Sequence, residues 1–254
     1  MAGLTNAFAV LGLDAGDDRL DDGSPAAPTA AREKNGSSAK KNKKANGSGN
    51  GVPMKNDKPD EGSSVVPSTE YRMPLVWIDL EMTGLDVEVD RILEIACIIT
   101  DGSLNKSIEG PDLVIHQSKE CLDRMGEWCR DHHAASGLTK RVLDSTITER
   151  EAEMQVKEFV KKNVGSYTPH LAGNSVYVDL IFLKKYMPDL ASLFPHVLVD
   201  VSSVKALCIR WYPRDLKKAP SKENRHRAMD DIRESISELK YYKENLFKAS
   251  RSRK

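Results

Sequence analysis

The decisive stretch is Leu75-Val76-Trp77-Ile78-Asp79-Leu80-Glu81-Met82-Thr83-Gly84-Leu85, an apolar run interrupted by two acids. The run is predicted to be a buried strand, in which alternate side chains point to opposite faces, so Asp79 and Glu81 share one face with Cβ atoms about 7 Å apart. Burying an ionised carboxylate without a partner is costly. The pair therefore needs basic neighbours, backbone donors or a divalent cation, unless the strand ends in solvent.

Composition divides the chain into two parts. Its 254 residues carry 38 Lys and Arg against 38 Asp and Glu, so affinity for nucleic acid must come from local patches. The hydrophobic content of 39% is low for a globular chain of this length. Residues 1–70, rich in Gly, Ser, Asn, Lys and Pro, are predicted to be a disordered low-complexity tail. Residues 71–250 are predicted to form one folded domain.

Cysteine usage favours an intracellular protein. The four cysteines have no C-x-x-C spacing and follow no secretory signal, so they are predicted to be reduced. The apolar patch at residues 7–13 is too short to span a membrane, and the acids after it are unlike a transit peptide. Cytoplasm or nucleus is favoured, and a mitochondrial location stays open. Residues 40–44 are either a basic nuclear signal or a solvated linker.

Strand and helix patterns alternate after the first strand. Residues 90–100 and 113–116 are predicted strands that complete an antiparallel meander. Helical patterns cover residues 122–133 and then 148–163, where the sequence begins with a capping box. Short strands at residues 170–172 and 197–200 each precede a helix. The sequence therefore predicts an α/β fold, a mixed five-stranded sheet flanked by helices.

Two of these helices carry an acid on the apolar face. In the helix that begins near Val176, Asp179 lies in the buried stripe, although the macrodipole also favours an acid at a helix start. In the last helix, Asp231 lies three residues after Ala228 and points inward, whereas Asp230 faces out. Two helices and one strand thus direct acids towards the core.

Such a group of acids predicts a metal site. Carboxylate oxygens suit Mg²⁺ or Mn²⁺ better than Zn²⁺, and four acids can hold two ions at about 3.5–4 Å, the spacing used for displacement at phosphorus. His226, five residues before Asp231, is the candidate general base, because an imidazole with an intrinsic pKa of about 6.5 accepts a proton at neutral pH. An incidental surface histidine is the alternative.

These residues, in this order, resemble the oligoribonuclease family of the DEDD exonucleases, in the subclass whose last motif contains His. The resemblance covers about residues 73–247 and rests on residues 77–85, on 126–133 (GEWCRDHH), on 173–175 (GNS) with Asp179, and on 226–236. It implies a ribonuclease H-like fold and a homodimeric 3′-to-5′ exoribonuclease. The implied substrates are short single-stranded RNA oligonucleotides, down to dinucleotides, and the products are 5′-mononucleotides.

The resemblance also implies catalytic roles by motif position. Asp79, Glu81, Asp179 and Asp231 would hold two divalent cations, Mg²⁺ or Mn²⁺. His226 would activate the attacking water.

Substrate contacts follow in the same way. Leu85 would wedge between two bases, Trp128 would stack on a base, and His133 and Ser175 would contact phosphate; ordinary packing is the alternative for Leu85 and Trp128. The chain departs from the family at His196 and the residue after it, where relatives carry a Tyr-Arg pair that reaches the neighbouring protomer's substrate. Either His196 supplies part of that contact, or the phosphate cap is weaker here.

Two other functions stay open at the level of sequence. An exonuclease of the same class acting on longer single-stranded DNA or RNA needs a groove of basic and aromatic residues. A catalytically inactive nucleic-acid-binding homologue would keep the fold alone, although the presence of all four acids and the histidine argues against it. The basic residues near the predicted site are Lys217, Lys218, Lys222, Arg225 and Arg227.

Overall fold

The computed structural model describes residues 71–220 and 227–247. The predicted tail of residues 1–70 and the predicted base His226 lie outside the described residues. The strands are β1 (Leu75–Met82), β2 (Ile92–Thr100), β3 (Ser107–Val114), β4 (His170–Gly173) and β5 (Val199–Asp200). The helices are α1 (Lys119–Asp123), α2 (Glu127–Ala135), α3 (Leu138–Asp144), α4 (Glu149–Val164), α5 (Tyr177–Tyr186), α6 (Pro188–Ala191), α7 (Val201–Trp211), α8 (Pro213–Leu216) and α9 (Ala228–Tyr241), the last followed by a π-helical turn (Tyr242–Leu246).

The strands form one mixed sheet in the order β3-β2-β1-β4-β5. β1 pairs antiparallel with β2, and β2 antiparallel with β3. β4 pairs parallel with β1 on one side and with β5 on the other. The predicted fold class, a mixed five-stranded sheet flanked by helices, is therefore confirmed.

The alternation of β1 places its acids on one side of the sheet. Val76, Ile78 and Leu80 belong to a core shared with α4 and α5. Trp77 belongs to a second core, shared with α9. Because alternate residues point to opposite faces, the two acids of β1 lie on the face that α9 covers.

The predicted third strand is wrong in its bounds. It was expected at residues 113–116 and instead runs from Ser107 to Val114. It is an edge strand in which only Val114 is buried and the exposed residues are polar. Gly110 and Pro111 also interrupt it, so it lacks an apolar pattern. A side chain at position 110 would collide with the Phe159 ring of α4, which explains the glycine.

Other boundaries also differ from the predicted ones. The single helix expected at residues 122–133 is two helices, because the chain is extended at Gly126, the N-cap of α2. The strand expected at residues 197–200 has only two residues, since Asp200 accepts hydrogen bonds from the first N–H groups of α7. α4 begins as predicted, with Thr148 and Glu151 forming a capping box. Within residues 71–220 and 227–247, none of the helices combines the length and apolar character that crossing a membrane requires.

Candidate active site

Three carboxylates from two elements converge beside the sheet. Asp79 and Glu81 project from β1, and Asp231 projects from the first turn of α9. Each offers an oxygen within 4.8 Å of the other two, and all three side chains are partly exposed. The neighbouring Asp230 instead accepts a hydrogen bond from Arg233 at 2.8 Å. The structure thus brings together three of the four predicted acids, and it separates Asp231 from Asp230.

The fourth acid reaches the same strand from α5. Asp179 is buried in the first turn of α5, and its Oδ1 accepts a hydrogen bond of 3.0 Å from the Leu80 N–H. The parallel pairing of β1 with β4 covers only Leu75 to Trp77, so Asp179 bonds the backbone of β1 beyond that ladder. Asp179 is not a member of the three-acid group, although it lies near enough to Glu81 to act on its pKa.

The carboxylates raise one another's proton affinity. Burial raises the pKa of Glu81 to about 8, and the charges of Asp231, Glu94 and Asp179 add to the rise, while Arg227 opposes it. Burial likewise raises the pKa of Asp179, against the lowering effect of the Leu80 N–H. This excess of negative charge and the all-oxygen donor set fit a hard divalent cation. Divalent metal use is therefore the chemistry that these residues support.

Glu94 is a further acid of this site that sequence reasoning missed. It lies opposite Glu81 in the β1–β2 register and is fully buried. Arg227 donates to it from Nη2 at 2.9 Å and from Nε at 3.3 Å, and Arg141 of α3 approaches to 3.3 Å. The Ala228 N–H, at the start of α9, also donates to it at 3.4 Å. Glu94 thus ties the start of α9 to the sheet; an acid within an apolar strand was the signal, as it was for β1.

A second polar contact holds α9 about two turns further on. The Asn174 side chain, after β4, donates to the Ser235 hydroxyl at 2.8 Å. That hydroxyl donates in turn to the Asp231 carbonyl at 2.8 Å. Because Glu94 and Asn174 hold α9 on either side of Asp231 along the helix, the position of Asp231 relative to β1 is set from both.

His133 lies behind the three-acid group. Its side chain is buried on α2, with Nε2 bonded to the Met82 carbonyl at 2.9 Å. Since a carbonyl can only accept, Nε2 carries the proton in this arrangement. Nδ1 then faces Glu81 Oε2 at 3.9 Å. The predicted contact of His133 with substrate phosphate stays a prediction.

The two residues predicted to touch bases are accessible. Trp128 of α2 is 42% exposed, and its ring stacks on that of His132 at 3.9 Å between centroids. Leu85 is partly exposed, in the loop that follows β1, and is not among the side chains packed on the three apolar cores of the described residues. Neither residue is ordinary core, although their roles with substrate stay predictions.

The remaining predicted residues, Ser175 and His196, lie in the segments after β4 and before β5. Ser175 has a φ of +49°, its N–H donates to Asp200 at 3.0 Å, and its hydroxyl donates to Ser202 at 3.2 Å. His196 is exposed in the segment between α6 and β5. Their predicted contacts with phosphate stay predictions.

Comparison with known proteins places the chain in a family. The family model described as Exonuclease, RNase_T, matches residues 76–239, which include all four predicted acids. An oligoribonuclease of Arabidopsis thaliana is 74% identical over 182 residues, which are 72% of this chain and 82% of the relative. A mitochondrial oligoribonuclease of Mus musculus is 50% identical over 189 residues, 74% of this chain and 80% of the relative. The chain belongs to the oligoribonuclease family of exonucleases.

A solved exonuclease agrees with this assignment at the level of fold. Exonuclease I of Methylocaldum szegediense matches with a TM-score of 0.52 and 19% identity, over 69% of this chain and 41% of that chain. The present chain therefore spans about two fifths of that structure's length. In this oligoribonuclease-family chain, the three converging acids lie on β1 and α9.

Proposed function

We propose that this protein is a two-metal 3′-to-5′ exoribonuclease that degrades short single-stranded RNA, down to dinucleotides, to 5′-mononucleotides. The observation that carries the proposal is the convergence of Asp79, Glu81 and Asp231 within 4.8 Å, with Asp179 bonded to the backbone between the first two. Family membership supports the activity, since relatives at 74% and 50% identity are named oligoribonucleases.

The four acids would hold two divalent cations, Mg²⁺ or Mn²⁺, which when bound stabilise the charge that develops on the phosphate during in-line displacement. The remaining steps belong to side chains. His226 accepts the proton of the attacking water, as an imidazole can near neutral pH. Trp128 holds a base by stacking, and Leu85 separates it from the next one. His133 and Ser175 contact substrate phosphate, and His196 either supplies part of the phosphate cap or the cap is weaker in this protein.

Cleavage rates on RNA of two to about ten nucleotides test the proposal most directly. Initial rates at equal concentration are expected to be highest for the shortest substrates. Equal or rising rates with length would favour the rival function, an exonuclease for longer single strands.

A matched pair of variants tests the acid assignment. Asp231→Asn removes one of the converging carboxylates and is expected to abolish turnover. Asp230→Asn changes the preceding residue, which pairs with Arg233 instead, and should keep near-normal turnover. Equal loss in both variants would contradict the assignment.

Metal specificity needs a separate experiment. Chelator should abolish activity, and Mg²⁺ or Mn²⁺ should restore it, because carboxylate oxygens prefer hard cations. Titration calorimetry on the chelated protein should give two binding events. Restoration by Zn²⁺ alone would contradict the proposed donor set.

Dimerisation is part of the proposal. α5 exposes Tyr177 and Ile181, and α7 exposes Leu207 and Trp211; each pair is four residues apart on one helical face. Apolar surface of this kind marks contact sites. Light scattering should give the mass of a dimer for the wild type and of a monomer for Trp211→Glu. Met154→Glu, an equally polar change at an exposed site on α4, should remain dimeric.

The proposal also covers the bounds of the catalytic unit, residues 71–250, and a location inside the cell. All four cysteines are buried and free, which agrees with a reducing compartment. A chain that begins at residue 71 should hydrolyse dinucleotides as fast as the full chain. Fluorescent fusions of the full chain would distinguish cytoplasm, nucleus and mitochondrion; the relative in Mus musculus is named mitochondrial.

A further inference from the structure

The loop that follows β1, residues 83–91, is closed at its base by paired hydrogen bonds. The Thr83 N–H donates to the Arg91 carbonyl at 3.0 Å, and the Arg91 N–H donates to the Thr83 hydroxyl at 3.0 Å. Thr83 is buried, so these bonds are shielded from water. Leu85 lies within this closed loop, two residues beyond the base.

Asp90 lies inside the loop, and its carboxylate accepts hydrogen bonds from residues before and after Leu85. The Thr83 hydroxyl donates to its Oδ1 at 2.7 Å, and the Asp86 N–H donates to its Oδ2 at 2.9 Å. The two bonds bracket Gly84 and Leu85. A Cβ at Gly84 would collide with the same carboxylate, so the backbone passes Asp90 in direct contact.

The outer side of the loop rests on α5, the helix that carries Asp179. The Tyr186 hydroxyl donates to the Val87 carbonyl at 2.8 Å. The Arg91 guanidinium lies over the Tyr186 ring, 4.7 Å from its centroid. The backbone around Leu85 is therefore braced from within and from outside, while its side chain remains partly exposed.

We propose that Asp90 is a positioning residue that holds Leu85 in place and thereby sets the preference for very short RNA. The inference rests on the proposed function and specifies how its site selects substrate length. A side chain that enters between two bases does so at lower cost when its backbone is already ordered. A dinucleotide depends on this contact more than longer RNA does, because longer RNA has further bases and phosphates that can contact the protein.

The test compares Asp90→Ala and the isosteric Asp90→Asn with the wild type on a dinucleotide and a seven-nucleotide RNA. Asp90→Ala should raise the KM for the dinucleotide about tenfold, the effect of losing charge-assisted hydrogen bonds, with kcat within about threefold. KM for the longer RNA should change less, so the preference for the dinucleotide should fall. Asp90→Asn keeps one acceptor oxygen and should give an intermediate result.

Two controls separate positioning from general damage. Glu88→Gln lies in the same loop but loses only a surface pair with Lys185, so kinetics should match the wild type. Asp90→Ala added to Leu85→Ala should raise the KM no further than Leu85→Ala alone, because the two residues act through one contact.

Additive effects in the double variant, or an unchanged preference in Asp90→Ala, would overturn the inference and leave the proposed function standing. A wild type without a preference for the dinucleotide would overturn the proposed function and this inference with it. Thr83→Ser and Thr83→Val extend the test to the donor of the 2.7 Å bond while residue 90 itself stays Asp. The serine variant keeps the bridging hydroxyl and should keep the preference, and the valine variant should lose it.

Discussion

The carboxylate of Asp179 accepts a hydrogen bond of 3.0 Å from the backbone N–H of Leu80, the residue between Asp79 and Glu81. A helix acid is thereby attached to the main chain of the strand that carries the other two acids. The bond satisfies a backbone donor that the short β4 does not reach, since β4 pairs with β1 only as far as Trp77. Asp179 therefore has a structural role besides its proposed catalytic role, and variants can separate the two.

Asp179→Asn is expected to remove catalysis and keep the fold. The amide oxygen can still accept from the Leu80 N–H, and the variant no longer buries a carboxyl group with a raised pKa. Without the negative charge of Asp179, the proposed metal ions are held less well, and metal ions supply several kcal/mol of charge stabilisation. Turnover of a dinucleotide should therefore fall by roughly 100-fold or more. The melting temperature of the chelated protein should stay equal or rise.

Asp179→Ala, by comparison, should also lose stability. It leaves the Leu80 N–H without its acceptor, which costs about 1–3 kcal/mol when the donor is buried. Chemical denaturation of the two variants separates the duties. Equal stability in the alanine variant would show that the bond to Leu80 contributes little to the fold.

Two ion pairs connect α9 to the sheet, and their contributions to the free energy of unfolding should differ greatly. Arg227 meets Glu94, which is fully buried, whereas Arg233 meets Glu109 at the exposed edge. Glu94→Ala is expected to lower the free energy of unfolding by about 3 kcal/mol, because it removes a buried carboxylate that pairs with the partly buried Arg227 and accepts from the buried Ala228 N–H. Glu109→Ala should cost at most about 1 kcal/mol. Urea denaturation of both variants is the measurement.

A milder change tests whether Glu94 also serves catalysis. Glu94→Gln keeps the shape of the side chain and weakens its hold on Arg227 and on the start of α9. Since that start carries Asp231, the apparent affinity for Mg²⁺ should fall together with kcat. An unchanged affinity in a destabilised variant would limit Glu94 to a structural role.

The acids of the site could be predicted because they interrupt regular patterns. Asp79 and Glu81 break an apolar strand, and Asp231 falls on the buried stripe of a helix, so periodicity alone separates it from Asp230. The five-stranded sheet followed from the same periodicities. Helix α4 has its N-cap at Thr148, the residue predicted from the capping box.

What could not be predicted depends on contacts between distant segments. Glu94 is separated from Arg227 by 133 residues, and no local pattern announces that pair. The bounds of β3 were predicted wrongly because its exposed residues are polar and because Gly110 and Pro111 interrupt the apolar pattern, as an edge strand tolerates. His133 could be selected as a site residue from its motif, but its burial near Glu81 depends on the tertiary structure.

Metal-free protein should lose stability as the pH rises. The pKa of Glu81 is raised to about 8 in the folded protein, from 4.5, so the folded state binds this proton more tightly than the unfolded state. The resulting stability is fully present below about pH 4.5 and is lost as the pH rises through about 8. The melting temperature in chelator should therefore fall by several degrees between pH 5.5 and 8.5. Saturating Mg²⁺, which offsets the charge, should largely remove this fall.

A single variant isolates that effect from other titrating groups. Glu81→Gln cannot titrate, so its melting temperature in chelator should depend less on pH than that of the wild type. Identical pH profiles for the two proteins would show that Glu81 does not carry the raised pKa.

Trp128 should contribute to binding rather than to the fold. Its ring is 42% exposed and stacks against His132. Stacking of a base on an aromatic side chain is worth about 1–3 kcal/mol, so Trp128→Ala should raise the KM for a dinucleotide roughly 10- to 100-fold. Trp128→Phe keeps an aromatic face and should recover most of that loss. Steady-state kinetics and thermal unfolding of both variants distinguish a binding role from a packing role. A large drop in melting temperature with little change in KM would make Trp128 a packing residue instead.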